Sequence, residues 1–140
     1  MDCLEAIRTE RNKGRVFCGV AKADAVPVLA GAFGLSAEPA RYRETDEILA
    51  RAIVVGILHR DLAYGTRIMS LARAEELASE VIRRFDKPGT RFFTNGEFKL
   101  DAGAGLVLSR WDPATTSTFD TGVLILAPGE SACIWVADED

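Results

Sequence analysis

His59-Arg60-Asp61-Leu62 comes closest to a catalytic signature in this chain. It spells the first four residues of a protein-kinase catalytic loop. That motif works only beside a glycine-rich phosphate loop, a strand lysine and a magnesium-binding Asp-Phe-Gly. None of these is written in the 140 residues, so the tetrapeptide reads as polar residues closing a helix. His59 is the only histidine. As a general base it needs a nucleophile or an orienting acid in space. Asp61 is two residues away and on a helix points elsewhere. A Cys18–His59 thiolate pair is the remaining combination, and nothing in the spacing brings the two together. Asp101-Ala-Gly-Ala-Gly-Leu106 has the glycines of a nucleotide loop, but that fingerprint must follow a strand and open a helix. Here a strand follows, so the segment reads as a connector.

Charge is unevenly placed. Residues 91–140 hold eight acids and three bases, a balance of −5, whereas residues 1–90 balance at +1. Asp112, Asp120, Asp138, Glu139 and Asp140 are the acids of interest. Calcium would need six to eight oxygens from a dedicated loop, which is not written here, so they read as an acidic rim and tail or as a patch for a basic partner. Such a patch speeds encounter. Trp111, Phe119 and Trp135 lie in the same half and serve either as core or as interface anchors. Arg41-Tyr42-Arg43, with Arg60 and Arg67, is a candidate anion cluster against the plainer reading of a surface loop with a stacked tyrosine.

Composition narrows the class. A chain of 140 residues, 48% hydrophobic and 27% charged, is sized and composed for one folded domain. Net charge −4 and pI about 5.1 disfavour nucleic acid and anionic membrane surfaces as partners. The first residues have neither a basic nor an apolar signal region, so no secretory signal is expected. The longest apolar run, Ala52–Leu58, is too short to span a bilayer. Cys3, Cys18 and Cys133 fit neither a disulfide framework nor a zinc spacing and read as reduced thiols of a cytoplasmic protein. No cofactor or metal motif is legible.

The elements that position these residues follow from periodicity. Residues 2–12 make a short helix with Leu4 and Ile7 on one side. Arg15–Val20 is a short strand or extended, and Ala23–Phe33 is a helix with Pro27 in its first turn. Ser36–Tyr42 is a loop containing Pro39. Thr45 is the expected N-cap of a helix running to about Leu62, with Asp46 and Glu47 in its first turn. Its middle, Ala52–Leu58, is apolar all round, which implies burial on every side; a buried strand is the competing reading. Ser70–Phe85 is a clear amphipathic helix, capped by Ser70, with a Glu80–Arg84 pair and a Pro88-Gly89 stop.

After Thr90 the period becomes two. Asn95-Gly96 between Arg91–Thr94 and Glu97–Leu100 predicts a two-residue hairpin pairing Phe93 with Phe98. Leu106–Trp111, Thr118–Leu126 and Ala132–Ala137 are further strands. Val123–Leu126 and Ile134–Val136 are apolar on both faces and should be central. The fold expected is α+β, N-terminal helices packed on a C-terminal antiparallel meander of about four to five strands.

The ending Trp111-Asp-Pro, Thr118-Phe-Asp-Thr-Gly-Val-Leu and Ile134-Trp-Val-Ala-Asp-Glu-Asp140 resembles that of small bacterial toxin-immunity proteins, over about thirty residues. The resemblance implies an acidic, cytoplasmic, non-catalytic α+β domain that binds a basic toxin face; it assigns no residue. Three functional expectations result. The first is an interaction module binding a basic protein through Trp111, Asp112, Asp120, Asp138, Glu139 and Asp140. The second is a small enzyme or small-molecule binder with a helix/sheet pocket holding Cys18, Arg41, His59, Arg60 and Tyr64. The third is a homodimer covering the Ala52–Leu58 helix.

Overall fold

The computed structural model describes residues 2–139. In chain order the elements are α1 (Cys3–Glu10), β1 (Arg15–Ala21), α2 (Val26–Ala32), a 3-10 turn (Pro39–Arg41), β2 (Arg43–Thr45), α3 (Glu47–His59), α4 (Leu71–Arg84), β3 (Arg91–Thr94), β4 (Gly96–Asp101), β5 (Gly105–Trp111), β6 (Phe119–Leu126) and β7 (Ser131–Asp138). Five strands form an antiparallel sheet in the order β1-β7-β6-β3-β2, and β4 with β5 forms a separate two-stranded ribbon. The α+β class holds, with helices early and the main strands late. The two sheet edges, β1 and β2, come from the N-terminal half. Among the described residues, no helix is long and apolar enough to cross a membrane.

The sheet is covered on both faces. Val123, Ile125, Ala132, Ile134 and Val136 face α1, α3 and α4, together with Ile7, Ile53, Ile57, Leu77 and Val81. Leu124, Leu126, Cys133 and Trp135 face α2, together with Leu29, Leu35 and Phe93. Every residue of β7 is buried, and so is all of β6 after Phe119. This is the cover that two strands without a polar face require. Trp135 is fully buried, and its neighbour across the ladder is Gly122. A Cβ at Gly122 would stand 2.2 Å from the Ile134 carbonyl oxygen, a backbone atom that cannot move aside.

Helix α4 forms as its pattern predicts, with Ser70 Oγ accepting from Arg73 N–H. Arg84, however, reaches Glu130 at 3.2 Å instead of Glu80. Helix α2 carries Pro27 in its first turn. Helix α3 is a helix and not a strand, but its bounds differ from expectation. Asp46, not Thr45, is the cap, accepting from Leu49 N–H at 2.8 Å, because Thr45 is the last residue of β2. The helix ends at His59, and Asp61 organises the next turn by accepting from the backbone N–H of Ala63, Tyr64 and Thr66. Within the all-round apolar segment Ile53, Val54, Ile57 and Leu58 are buried, Ala52 and Val55 are partly covered and Gly56 is exposed.

The Asn95-Gly96 hairpin does not form. β3 pairs with β2 and β6, and β4 pairs with β5. Gly96 lacks the positive φ that a type I′ turn needs. Phe92 and Phe93 point to opposite cores, and β3 lies inside the sheet between β6 and β2.

Arg11, at the end of α1, is fully buried. It binds Asp138 through two hydrogen bonds of 2.7 and 2.9 Å and donates from Nε to the Ile57 carbonyl at 3.0 Å. Asp138 also accepts from Leu62 N–H at 2.8 Å. One ion pair thus joins α1, the last turn of α3 and the end of β7. Arg11→Met strands a buried carboxylate and should cost about 3–5 kcal/mol in urea unfolding. Gly122→Ala should cost about 3 kcal/mol, read the same way, because the overpacking is against backbone.

Candidate functional site

The chain leaves the main sheet at Asn95 and returns to it at Phe119. Asn95 is buried and holds both crossings. Its side-chain amide donates to the Asp112 carbonyl (2.8 Å) and to the carbonyl and carboxylate of Asp120 (3.1 Å each), and its oxygen accepts from Thr121 Oγ1 at 2.7 Å. Arg43 of β2 braces the ribbon base through Glu97 (2.7 Å) and Asp112 (3.2 Å). The β4–β5 ribbon therefore stands off the sheet from a fixed base.

Register places Phe98 opposite Leu108 and Leu100 opposite Leu106, so these four share one face of the ribbon. Phe98 and Leu106 pack toward α3. Facing them, Ile53, Gly56 and Ile57 recur at helical spacing along one stripe of α3, and Arg60 follows just past its end. Between the two runs a cleft of about 330 Å³, with Leu62 and Thr121 also on its walls. A smaller recess of about 80 Å³ adjoins it, sharing Leu62, Leu108 and Thr121 and adding Trp111, Phe119 and Asp120. Asp61 touches the cleft, but its oxygens are occupied by three backbone N–H groups and by Lys13 at 3.3 Å. These bonds hold its carboxyl well below the usual carboxylate range.

Gly56 lies on the α3 wall of the cleft. A glycine inside a helix costs about 1 kcal/mol relative to alanine. Its position is exposed, and an added Cβ would meet only Leu106 Cδ2 at 3.7 Å. Packing therefore does not demand glycine there.

The anticipated site residues are dispersed. Of the five pocket candidates only Arg60 lines the cleft, and it donates to the Gly65 carbonyl at 2.8 Å. Arg41 donates to the Pro113 carbonyl, His59 Nδ1 lies 2.9 Å from the Met69 carbonyl, and Tyr64 is exposed. Cys18 is buried against the Leu4 carbonyl, and burial pushes its thiol up to about 12. Burial raises the Cys133 thiol as well. Tyr42 is not stacked in a surface loop; its hydroxyl donates to Ser36 O and its ring stands edge-on to Trp135 at 5.9 Å.

The acidic face also requires correction. Asp120 and Asp138 are each 2% exposed. Asp138 neutralises Arg11. Asp120 accepts from Ala114 and Thr115 N–H, Thr115 Oγ1, Asn95 and Trp135 Nε1. Their charge suggests the surface, but the chain uses both to satisfy donors inside. Asp112 is held by Arg43, and Glu139 accepts from Thr118. Asp140 lies outside the described residues. Trp111 and Phe119 are half-buried, 5.9 Å apart between ring centres, and Trp135 is core. No group of three or more potential metal ligands occurs among the described residues.

Gly56, Phe98, Leu106, Leu108 and Thr121 were not singled out from sequence. Gly56 alone carried a signal, as a glycine in the middle of an apolar helix. Compared with family models, curated proteins and solved structures, the chain matches none.

Asp61, whose folded pKa is depressed, contributes stability that is present above about pH 4 and is lost as pH falls through the lower folded value. Asp61→Asn should therefore cost about 2 kcal/mol at pH 7. The gap from the parent protein should narrow on acidification below pH 4, read by urea unfolding at each pH.

Proposed function

We propose that this chain is a non-catalytic binding module that works through the cleft between α3 and the β4–β5 ribbon. The carrying observation is the open apolar trench in front of Gly56, bounded on one side by a helix stripe and on the other by the ribbon. Pockets of this kind, apolar walls with a few polar groups, are the usual form of a ligand site. The reactive side chains support binding over catalysis. Cys18 and Cys133 are held as neutral thiols, and Asp61 is held as a saturated carboxylate. A general acid or base needs a pKa moved toward neutrality instead.

Binding of a basic protein in the manner of toxin-immunity proteins is the weaker proposal. Of the acids it would use, Asp120 and Asp138 are inside, and Asp112 and Glu139 are engaged with Arg43 and Thr118.

Titration with a neutral, environment-sensitive fluorescent dye, N-phenyl-1-naphthylamine, tests the cleft. A single saturable site is expected. Gly56→Leu should weaken it at least about tenfold while thermal stability is unchanged or higher, since leucine favours the helix by most of about 1 kcal/mol. Dye binding unaffected by that substitution would remove the proposal.

A further inference from the structure

Arg60 and Arg67 stand opposite each other in a single antiparallel bridge just past α3. Side chains at directly opposed positions lie on one side of the backbone, and like charges placed so repel. Both arginines are exposed, and among the described residues neither makes an ion pair. Asp61 does not neutralise them, because it is buried, saturated by backbone N–H groups and paired with Lys13. Arg41 and Arg43, grouped with these two by sequence, lie elsewhere, on the Pro113 carbonyl and on Glu97 and Asp112. The turn between Arg60 and Arg67 is well tied: Asp61 N–H donates to the Thr66 carbonyl at 3.0 Å and Gly65 N–H to the Asp61 carbonyl at 3.2 Å. The Gly65 carbonyl in turn accepts from Arg60 Nη1 at 2.8 Å. Arg60 and Gly65 both line the cleft, so this bond holds the guanidinium at its rim. The Nε–Nη2 edge has no hydrogen-bond partner among the described residues. The other polar side chains on the cleft wall, Asp61 and Thr121, are committed, Thr121 Oγ1 to Asn95.

Resting on the cleft reading above, we infer that the ligand is an apolar monocarboxylate, with its hydrocarbon body in the trench and its carboxylate at the rim on Arg60. The planar Nε–Nη2 edge presents two parallel N–H donors, which match the two oxygens of a carboxylate. Arg67 adds positive charge beside it, so an anion there relieves the repulsion between the two arginines. The body lies between Ile53, Gly56 and Ile57 on one side and Phe98, Leu106 and Leu108 on the other. From Ile53 to Arg60 the chain rises roughly 10 Å along the helix axis, a span that an extended medium-length alkyl chain fills. The carboxylate stays at the exposed rim and keeps much of its hydration, so no charge is buried. An alkylammonium of the same length gains the apolar contact but meets like charge.

The test displaces N-phenyl-1-naphthylamine from the full chain at neutral pH with three probes that share one chain length: octanoate, 1-octanol and octylamine. Octanoate is expected to compete about fivefold better than 1-octanol at low salt, and octylamine least well. The preference for octanoate should shrink at about 0.5 M salt, because the contact lies at an exposed rim. Arg60→Gln should lower octanoate affinity about fivefold and leave that of 1-octanol within about twofold. Gly56→Leu should weaken both alike. Equal competition by octanoate and 1-octanol, a preference that survives Arg60→Gln, or dye that none of the three displaces would overturn the carboxylate assignment while leaving the cleft as a binding site. Failure of the dye and of all three probes to bind would overturn both readings.

Discussion

Strands β6 and β7 have no exposed face, so the polar groups at their ends must be satisfied inside the protein. Two aspartates meet that demand on opposite faces of the sheet. Asp138 ends β7 on the side of α1 and α3, where it meets the buried Arg11 and the Leu62 N–H. Asp120 opens β6 on the side of α2, where it collects donors from Asn95, Ala114, Thr115 and Trp135. Removing either would leave donors unpaired in a low-dielectric interior, where the cost is highest. The strands that most need helices on both sides are thus also the strands whose ends pin those helices and loops.

The cleft follows from the same arrangement. Because Asn95 is tied to both Asp112 and Asp120, the chain between Asn95 and Asp112 is expelled from the main sheet as a ribbon with its own pairing. A two-stranded ribbon is marginal by itself. It gains support by laying Phe98 and Leu106 toward α3, and α3 answers with a helical stripe interrupted by Gly56. The result is a contact with a gap in it. Trp111 lines the recess that adjoins that gap.

Charge in this molecule is mostly architectural. The −5 balance of residues 91–140 does not translate into a matching surface field, because two of those acids are buried and Asp112, Glu97 and Glu130 are paired with arginines of the N-terminal part of the chain. The cysteines are likewise packing groups, small and buried, with thiols driven upward by desolvation.

The sequence by itself determined the helices whose period and caps agree, Ser70–Phe85 above all, and the doubly apolar strands that had to be central. Local signals sufficed there because each residue's preference matched the fold. Asn95-Gly96 shows where they did not. The dipeptide favours a tight turn, but β3 pairs with β6 and β2 instead, and the buried Asn95 side chain is committed to Asp112, Asp120 and Thr121. Which acids face water, which neighbour Arg84 takes, and that Ile53, Gly56 and Leu106 share one cleft were decided only by tertiary structure. Those facts join residues dozens of positions apart, and neither a residue's type nor its period records the partner that folding brings to it.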